Sequence, residues 1–297
     1  MVYNSKGYFA KCKKGVHEEM IVELRPEQFG VIKPLIANFP PEQTVAIVSV
    51  IKRNTRGRIF VDDPLHPKTA LVWVIYCMFY FLGDPENPVF NGDLHSFFKE
   101  RLIPMNEEMD CGSFIMTLLA ESGWKAYLDH FFHRFSVETG YRLAFYFDEA
   151  DFIRQAGISG SLEGVHKIDE TLKKQENSAE LIDNICEFWP SLSDFLKRGV
   201  GYYLLEQEGR IASACFSVAA ADPYQEIVIN TYEQTNRKKG YGSLVARAFI
   251  NECLEKGAIP VWNAYETNIP SVRIAKRMGF KVQERLFYYE FPFVDFR

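Results

Sequence analysis

Glu226-Ile-Val-Ile-Asn-Thr231, followed by Arg237-Lys-Lys-Gly-Tyr-Gly-Ser243, is the stretch that decides how this chain is read. A polar-ended apolar strand runs into a basic, glycine-rich turn. The turn opens a helix with Leu244, Val245, Ala248, Phe249 and Cys253 on one face, and Gly257 is a natural stop. A second strand, Ile259-Pro-Val-Trp-Asn-Ala-Tyr265, comes next. Asn268-Ile-Pro-Ser271 then leads into Arg273-Ile-Ala-Lys-Arg-Met-Gly-Phe280.

A glycine-rich turn between a strand and a helix suits a phosphate group. The glycines let backbone approach closely, and the first amides of the helix converge where the peptide dipoles favour an anion. Arg237, Lys238 and Lys239 add positive charge beside them. A solvated basic loop tip is the plainer reading, and the strand before and helix after weigh against it. The turn is not G-x-x-x-x-G-K-[ST], and Gly240, Gly242 and Ala246 do not give G-x-G-x-x-G. Nucleoside-triphosphate and dinucleotide readings are thereby weakened.

Composition narrows the field further. The chain has 297 residues, enough for two domains or a doubled one. The net charge of −5 argues against a protein that coats nucleic acid. Aromatic residues make up 15%, which predicts well-filled sheet cores. The six cysteines, Cys12, Cys77, Cys111, Cys186, Cys215 and Cys253, form no C-x-x-C pair, so neither a zinc site nor a disulfide framework is expected. A reducing cytoplasm is the simplest location. No apolar segment follows the lysines at 6, 11, 13 and 14, so no signal peptide is expected. The longest uncharged run, Thr69 to Leu82, is shorter than the roughly 20 residues a bilayer requires.

Three regions are expected: an extension over 1–19, an α/β domain over 20–150, and a second domain over 151–297. In the first half, strands are expected at 58–61, 70–76, 78–82, 113–120 and 141–147. Helices are expected at 94–102, with Asp93 as cap, and at 124–135. In the second, a strand at 165–172 precedes helices at 179–188 and 191–197 and a hairpin over 201–219. The mixture of elements is similar in both halves, but the first has no counterpart of the Arg-x-x-Gly-x-Gly turn. It is therefore expected to lack the phosphate site.

Residues 226–280 resemble the acyl-coenzyme-A-binding core of the GNAT superfamily of N-acetyltransferases. Arg237, Gly240 and Gly242 match its [QR]-x-x-G-x-[GA] signature, and Asn268, Ser271 and Gly279-Phe280 match the next region. Cys253-Leu254, Gly257 and Pro260-Val-Trp262 resemble the zwittermicin-resistance-type branch. The specific likeness covers about the last fifth of the chain, and a looser one reaches residue 160. It implies a mixed, mostly antiparallel sheet flanked by helices, with a degenerate copy of the same fold in the N-terminal half.

The resemblance also implies a chemistry. Acetyl-coenzyme A would serve as co-substrate, with no metal, and the acetyl group would pass to the amine of a small molecule by direct attack. Val228, Ile229, Asn230 and Thr231 would lie beside the pantetheine arm. The amides of Lys238, Lys239, Gly240, Tyr241, Gly242 and Ser243 would surround the pyrophosphate, with Arg237 beside them. Asn268 and Ser271 would form the other wall. The thioester carbonyl would sit between Ile229-Asn230 and Trp262-Asn263.

Glu226, fourteen positions ahead of Gly240, stands where the histone-acetylating branch has its base. It also reads as a glutamate at a strand end. Glu233 and Glu266 are alternatives, as bases or as partners of a cationic acceptor. Many GNAT enzymes have a proton-donating tyrosine seven residues after the Asn, but that position is Ala275 here. Tyr265, Tyr232 or solvent must then supply the proton, or the chain binds acyl-coenzyme A as a sensor without catalysis. A doubled GNAT fold that takes amino acids from charged tRNA fits less well, because that family tends to lose the intact turn. No nucleic acid or membrane partner is expected, and a homodimer is left open. His130-x-x-His133 has helical spacing without an evident third ligand, so a structural role is the better reading. There is no Gly-x-Ser-x-Gly elbow to support nucleophilic hydrolysis.

Overall fold

The computed structural model describes residues 20–74, 77–107, 113–155, 161–206 and 209–292. The extension expected over 1–19 lies outside them.

The first half runs β1 (Val22–Glu23), α1 (Pro41–Ile51), β2 (Gly57–Val61), β3 (Thr69–Val74), β4 (Met78–Gly83), α2 (Pro88–Phe97), α3 (Ile103–Glu107), β5 (Ser113–Thr117), α4 (Trp124–Phe132) and β6 (Glu138–Phe147). After α5 (Glu149–Gln155), the second runs β7 (Val165–Lys167), α6 (Ala179–Phe188), α7 (Leu192–Arg198), β8 (Gly201–Leu205), β9 (Ile211–Ala221), β10 (Tyr224–Thr231), α8 (Tyr241–Glu255), β11 (Ile259–Tyr265), α9 (Ile269–Arg277) and β12 (Phe280–Pro292). The two series share an order. In each, a short strand leads through helical segments to three strands, a helical stretch, a strand, a helix and a long final strand.

The twelve strands among the described residues join in one sheet, ordered β1-β2-β3-β4-β5-β12-β6-β11-β10-β9-β8-β7. Parallel pairing occurs at β4–β5 and β10–β11, and the other described pairs are antiparallel. The expected mixed, mostly antiparallel sheet is therefore present. Its centre holds an exchange: β12 sits between β5 and β6, and β6 sits between β12 and β11. Each half thus lends its last strand to the other's sheet.

Helices cover both faces. Phe79, Phe81, Phe97, Phe98, Phe114 and Trp124 fill the core of the first half under α2 and α4. Burying each such side chain stabilises the fold by roughly 1.5–3 kcal/mol, which accounts for the high aromatic content. A second core joins the halves, with Val45, Ile47 and Val50 of α1 packing with Ala219, Ala221 and Val261. Asn54 Nδ2 donates to the Ala220 carbonyl at 2.8 Å and the Arg56 amide to the Phe188 carbonyl at 2.8 Å, pinning the same seam.

Several boundaries differ from the sequence reading. The helix expected from Leu94 with Asp93 as cap starts instead at Pro88, because Asn87 accepts from the amides of Val89 and Phe90 and Pro88 suits the first helical turn. The strand expected over 165–172 ends at Lys167, since Asp169 caps a short 3-10 turn at Glu170–Lys174. Cys77 is disulfide-bonded, which the dispersed cysteine spacing did not foretell. No helix among the described residues is long and apolar enough to cross a membrane.

Candidate active site

Strands β10 and β11 run side by side only from Tyr224/Ile259 to Glu226/Val261, and then part. Strand β10 stays paired with β9 as far as Thr231. The Tyr232 amide donates to the Ala212 carbonyl, and the Asn230 carbonyl accepts from Ser213 Oγ at 2.7 Å. In an antiparallel ladder such bonds fall on alternate residues. The backbone groups of Ile229 and Thr231 therefore face the wedge between β10 and β11, as an open strand edge inside the protein.

At the far end of β10 stands the basic turn. Gly240 is the N-cap of α8 with φ of +86°, a left-handed conformation that only glycine adopts cheaply. No side chain caps α8. Gly242 is buried, and a Cβ there would lie 3.3 Å from both Ile229 and Ile274, so α8 begins tight against β10 and α9. Arg237, Lys238 and Lys239 are exposed, with Lys239 bonded to Asn236 Oδ1 at 2.9 Å. The Ser243 amide donates to the Gly240 carbonyl at 3.0 Å. Behind the helix, Glu252 accepts from Lys167 at 2.6 Å and from Tyr202 at 2.5 Å, anchoring α8 to β7 and β8.

Glu226 lies at the vertex, 8% exposed. Its Oε1 accepts from Asn263 Nδ2 at 2.9 Å, while Asn263 Oδ1 is buried without a partner. Burial pushes the Glu226 carboxyl above its ordinary range, against the pull of Asn263 and of the Arg142 charge. The two alternative carboxylates are engaged elsewhere. Glu266 forms a two-point pair with Arg285, and Glu233 lies against Arg210 and accepts from Thr235.

Glu226 and Asn230 alternate along β10 and share one face, and Tyr232 follows just beyond the strand. On that side Asn230 Nδ2 donates to Asn184 Oδ1 of α6 at 3.3 Å. Burial, then the charge of Glu180, pushes the Tyr232 phenol up. Tyr265 is half-buried, also raised by burial, and its ring packs edge-on to Tyr288 at 5.1 Å. On the far wall, Asn268 Oδ1 accepts from the Ser271 amide as cap of α9, and Ser271 Oγ accepts from Trp262 Nε1 at 3.0 Å. Ala275 is fully buried in the core that holds Trp262, Met278 and Phe280. A tyrosine there would displace packed side chains.

A family model described as GNAT acetyltransferase matches residues 33–289. The chain belongs to this family. As a GNAT acetyltransferase it is an acyltransferase, and the family uses acetyl-coenzyme A as co-substrate. It is 25% identical over 248 residues to an uncharacterized N-acetyltransferase, YdfB, of Bacillus subtilis, covering 82% of this chain and 89% of that one. Its fold resembles a GCN5-related N-acetyltransferase-like protein from Streptococcus suis, with a TM-score of 0.63 at 21% identity over 89% of this chain and 98% of the other. It also resembles a tandem GNAT protein of the clavulanic acid biosynthesis pathway, with a TM-score of 0.59 at 13% identity over 92% and 98% of the chains. A tandem neighbour agrees with the repeated order of elements. The finer likeness to the zwittermicin-resistance-type branch rests on the Cys253–Trp262 segment alone.

Within this GNAT fold the halves differ where the phosphate turn would be. Between β4 and α2 stand Gly83-Asp-Pro-Glu-Asn-Pro88. Asn87 occupies the first amides of α2, Pro88 lacks an amide hydrogen, and Asp84 and Glu86 add negative charge. The amides that open α2 are thus already engaged.

The sequence reading missed Tyr80 and Arg142. Tyr80 of β4 is 6% exposed, and burial followed by the Glu226 charge raises its phenol. Arg142 of β6 places its guanidinium over the Tyr265 ring, 4.7 Å from the centroid. A lone arginine within Tyr141-Arg-Leu-Ala-Phe-Tyr-Phe147 was the available signal.

Proposed function

We propose that the C-terminal half moves an acetyl group from acetyl-coenzyme A to the amine of a small molecule, with Glu226 as general base. The parting of β10 and β11 beyond Glu226 carries this reading, because it joins an open strand edge to an uncapped glycine helix start. The residues fit coenzyme A. Ile229 and Thr231 offer backbone groups to its pantetheine amides, with Val228 and Asn230 between them. The amides from Lys238 to Gly242, with Arg237 alongside, offer positive ends to its pyrophosphate. A Cβ at Gly242 would press on Ile229 and Ile274 at 3.3 Å, and Asn268 and Ser271 hold α9 as the opposite wall.

When bound, the coenzyme supplies the acetyl group as a thioester; the amide C–N bond forms as the C–S bond breaks. Glu226 takes the proton of the attacking amine, and its position at the vertex on the α6 side leaves that side to the acceptor. Asn263 holds the carboxylate by one oxygen. Tyr265 or Tyr232 gives a proton to the leaving thiolate, since Ala275 has none. The Ile229 amide faces the wedge as an oxyanion donor. Asn184 and the α6 carboxylates line the acceptor side and suit an amine.

The buried Ala275 supports a second reading, in which the chain binds acyl-coenzyme A as a sensor. A thiol-release assay with acetyl-coenzyme A over an amine panel separates the two. Amine-dependent release supports transfer. Coenzyme binding with no release for any amine supports the sensor.

A further inference from the structure

Strand β6 belongs to the N-terminal half in sequence, yet it borders β11, the wall of the C-terminal wedge. The register sets Arg142 opposite Tyr265 and Ala144 opposite Asn263. Residues two apart on a strand share a face, so Arg142 looks out on the same side as Asn263 and Tyr265. The guanidinium stands 4.7 Å from the Tyr265 ring centroid, within reach of a cation–π attraction. Tyr288 of β12, paired with Gly140 of β6, packs edge-on against that ring.

The groups that face Glu226 come from three strands. Asn263 of β11 bonds it, Arg142 of β6 opposes the burial of its charge, and Tyr80 of β4 is coupled to it electrostatically. Arg142 also acts on Tyr80, Tyr265 and Tyr288, lowering each against burial. A nearby cation favours the charged form of a carboxyl this deeply buried. Within this group of side chains Arg142 is that cation, and the strand exchange delivers it.

We propose that Arg142 is a positioning residue of the acyl-transfer site, fixing the Tyr265 ring and facing Glu226 with its charge. The C-terminal wedge is then complete only with a strand from the N-terminal half. This rests on Glu226 as the base.

The test uses the full chain with Arg142→Gln, Arg142→Lys, Glu226→Gln and the Arg142→Gln/Glu226→Gln double variant. Turnover is followed against pH with acetyl-coenzyme A and the most active amine of the panel. Arg142→Gln is expected to lower kcat/KM by about tenfold or more and to move the acidic limb to higher pH. Arg142→Lys restores most of both, and coenzyme A affinity by calorimetry stays at the wild-type value. Stability from urea unfolding gives a readout without turnover. The double-variant cycle should show coupling between positions 142 and 226 at neutral pH that fades on acidification. An unmoved limb and no coupling, with Glu226→Gln inactive, overturn the proposal alone. Full turnover by Glu226→Gln overturns the base reading and the proposal with it.

Discussion

Asn263 donates Nδ2 to Glu226 Oε1 at 2.9 Å across the point where β10 and β11 part. The bond fixes one carboxylate oxygen at the vertex. Replacing Glu226 with Gln keeps shape and burial but removes the base, so kcat should fall by about 10²-fold or more while coenzyme A affinity is retained. Stability should change in the opposite sense. Burial raises the Glu226 carboxyl, so its favourable contribution is present at acid pH and lost as pH rises through the folded value. Glu226→Gln should therefore be more stable than wild type near neutral pH, with the advantage vanishing below about pH 4. Urea unfolding at the two pH values checks this.

The phosphate turn gives the second prediction. Gly240 has φ of +86°, so Gly240→Ala brings about 1–2 kcal/mol of backbone strain. Gly242→Ala instead pushes a methyl to within 3.3 Å of Ile229 and Ile274. Both should weaken coenzyme A binding by about tenfold or more, since 1.4 kcal/mol is a factor of ten. Dephosphorylated pantetheine fragments, which lack the pyrophosphate, should lose much less. Calorimetry with both ligands reads the difference.

Glu252 anchors the helix that carries the turn. Burial pushes its carboxyl up, but Lys167, Lys256 and Tyr202 outweigh that and hold it low. A carboxylate lowered in the fold stabilises above its unfolded value and loses that contribution as pH falls through the folded one. Glu252→Gln should cost about 1–3 kcal/mol at neutral pH, less in acid. Thermal unfolding at the two pH values measures both effects.

The exchange of β6 and β12 predicts cooperative unfolding of the whole chain. Trp73 and Trp124 report on the first half, Trp189 and Trp262 on the second. Fluorescence of variants keeping one tryptophan from each half should give coincident urea transitions. Two separated transitions would show that the strands crossing between halves do not couple them.

The local grammar of the second half was legible. The Arg237–Gly242 turn, α6 and α7 sit where local periodicity and the glycines put them, because each is set by neighbours in sequence. The exchange was not legible, since pairing β6 with β11 depends on register between segments more than a hundred residues apart. For the same reason Tyr80 and Arg142 stayed hidden. Each looks like a single polar residue in an apolar strand until the sheet brings it beside Glu226. Position 93 shows the limit of local reasoning at finer scale. Asp93 is a good cap by type, but Asn87 followed by Pro88 is the stronger start.

Calorimetric titration of the full chain with acetyl-coenzyme A and with coenzyme A tests the central claim most directly. We predict saturable binding of one molecule per chain, in the C-terminal wedge, lost together with the Gly240 and Gly242 geometry. No binding of either ligand at millimolar concentration would contradict the account.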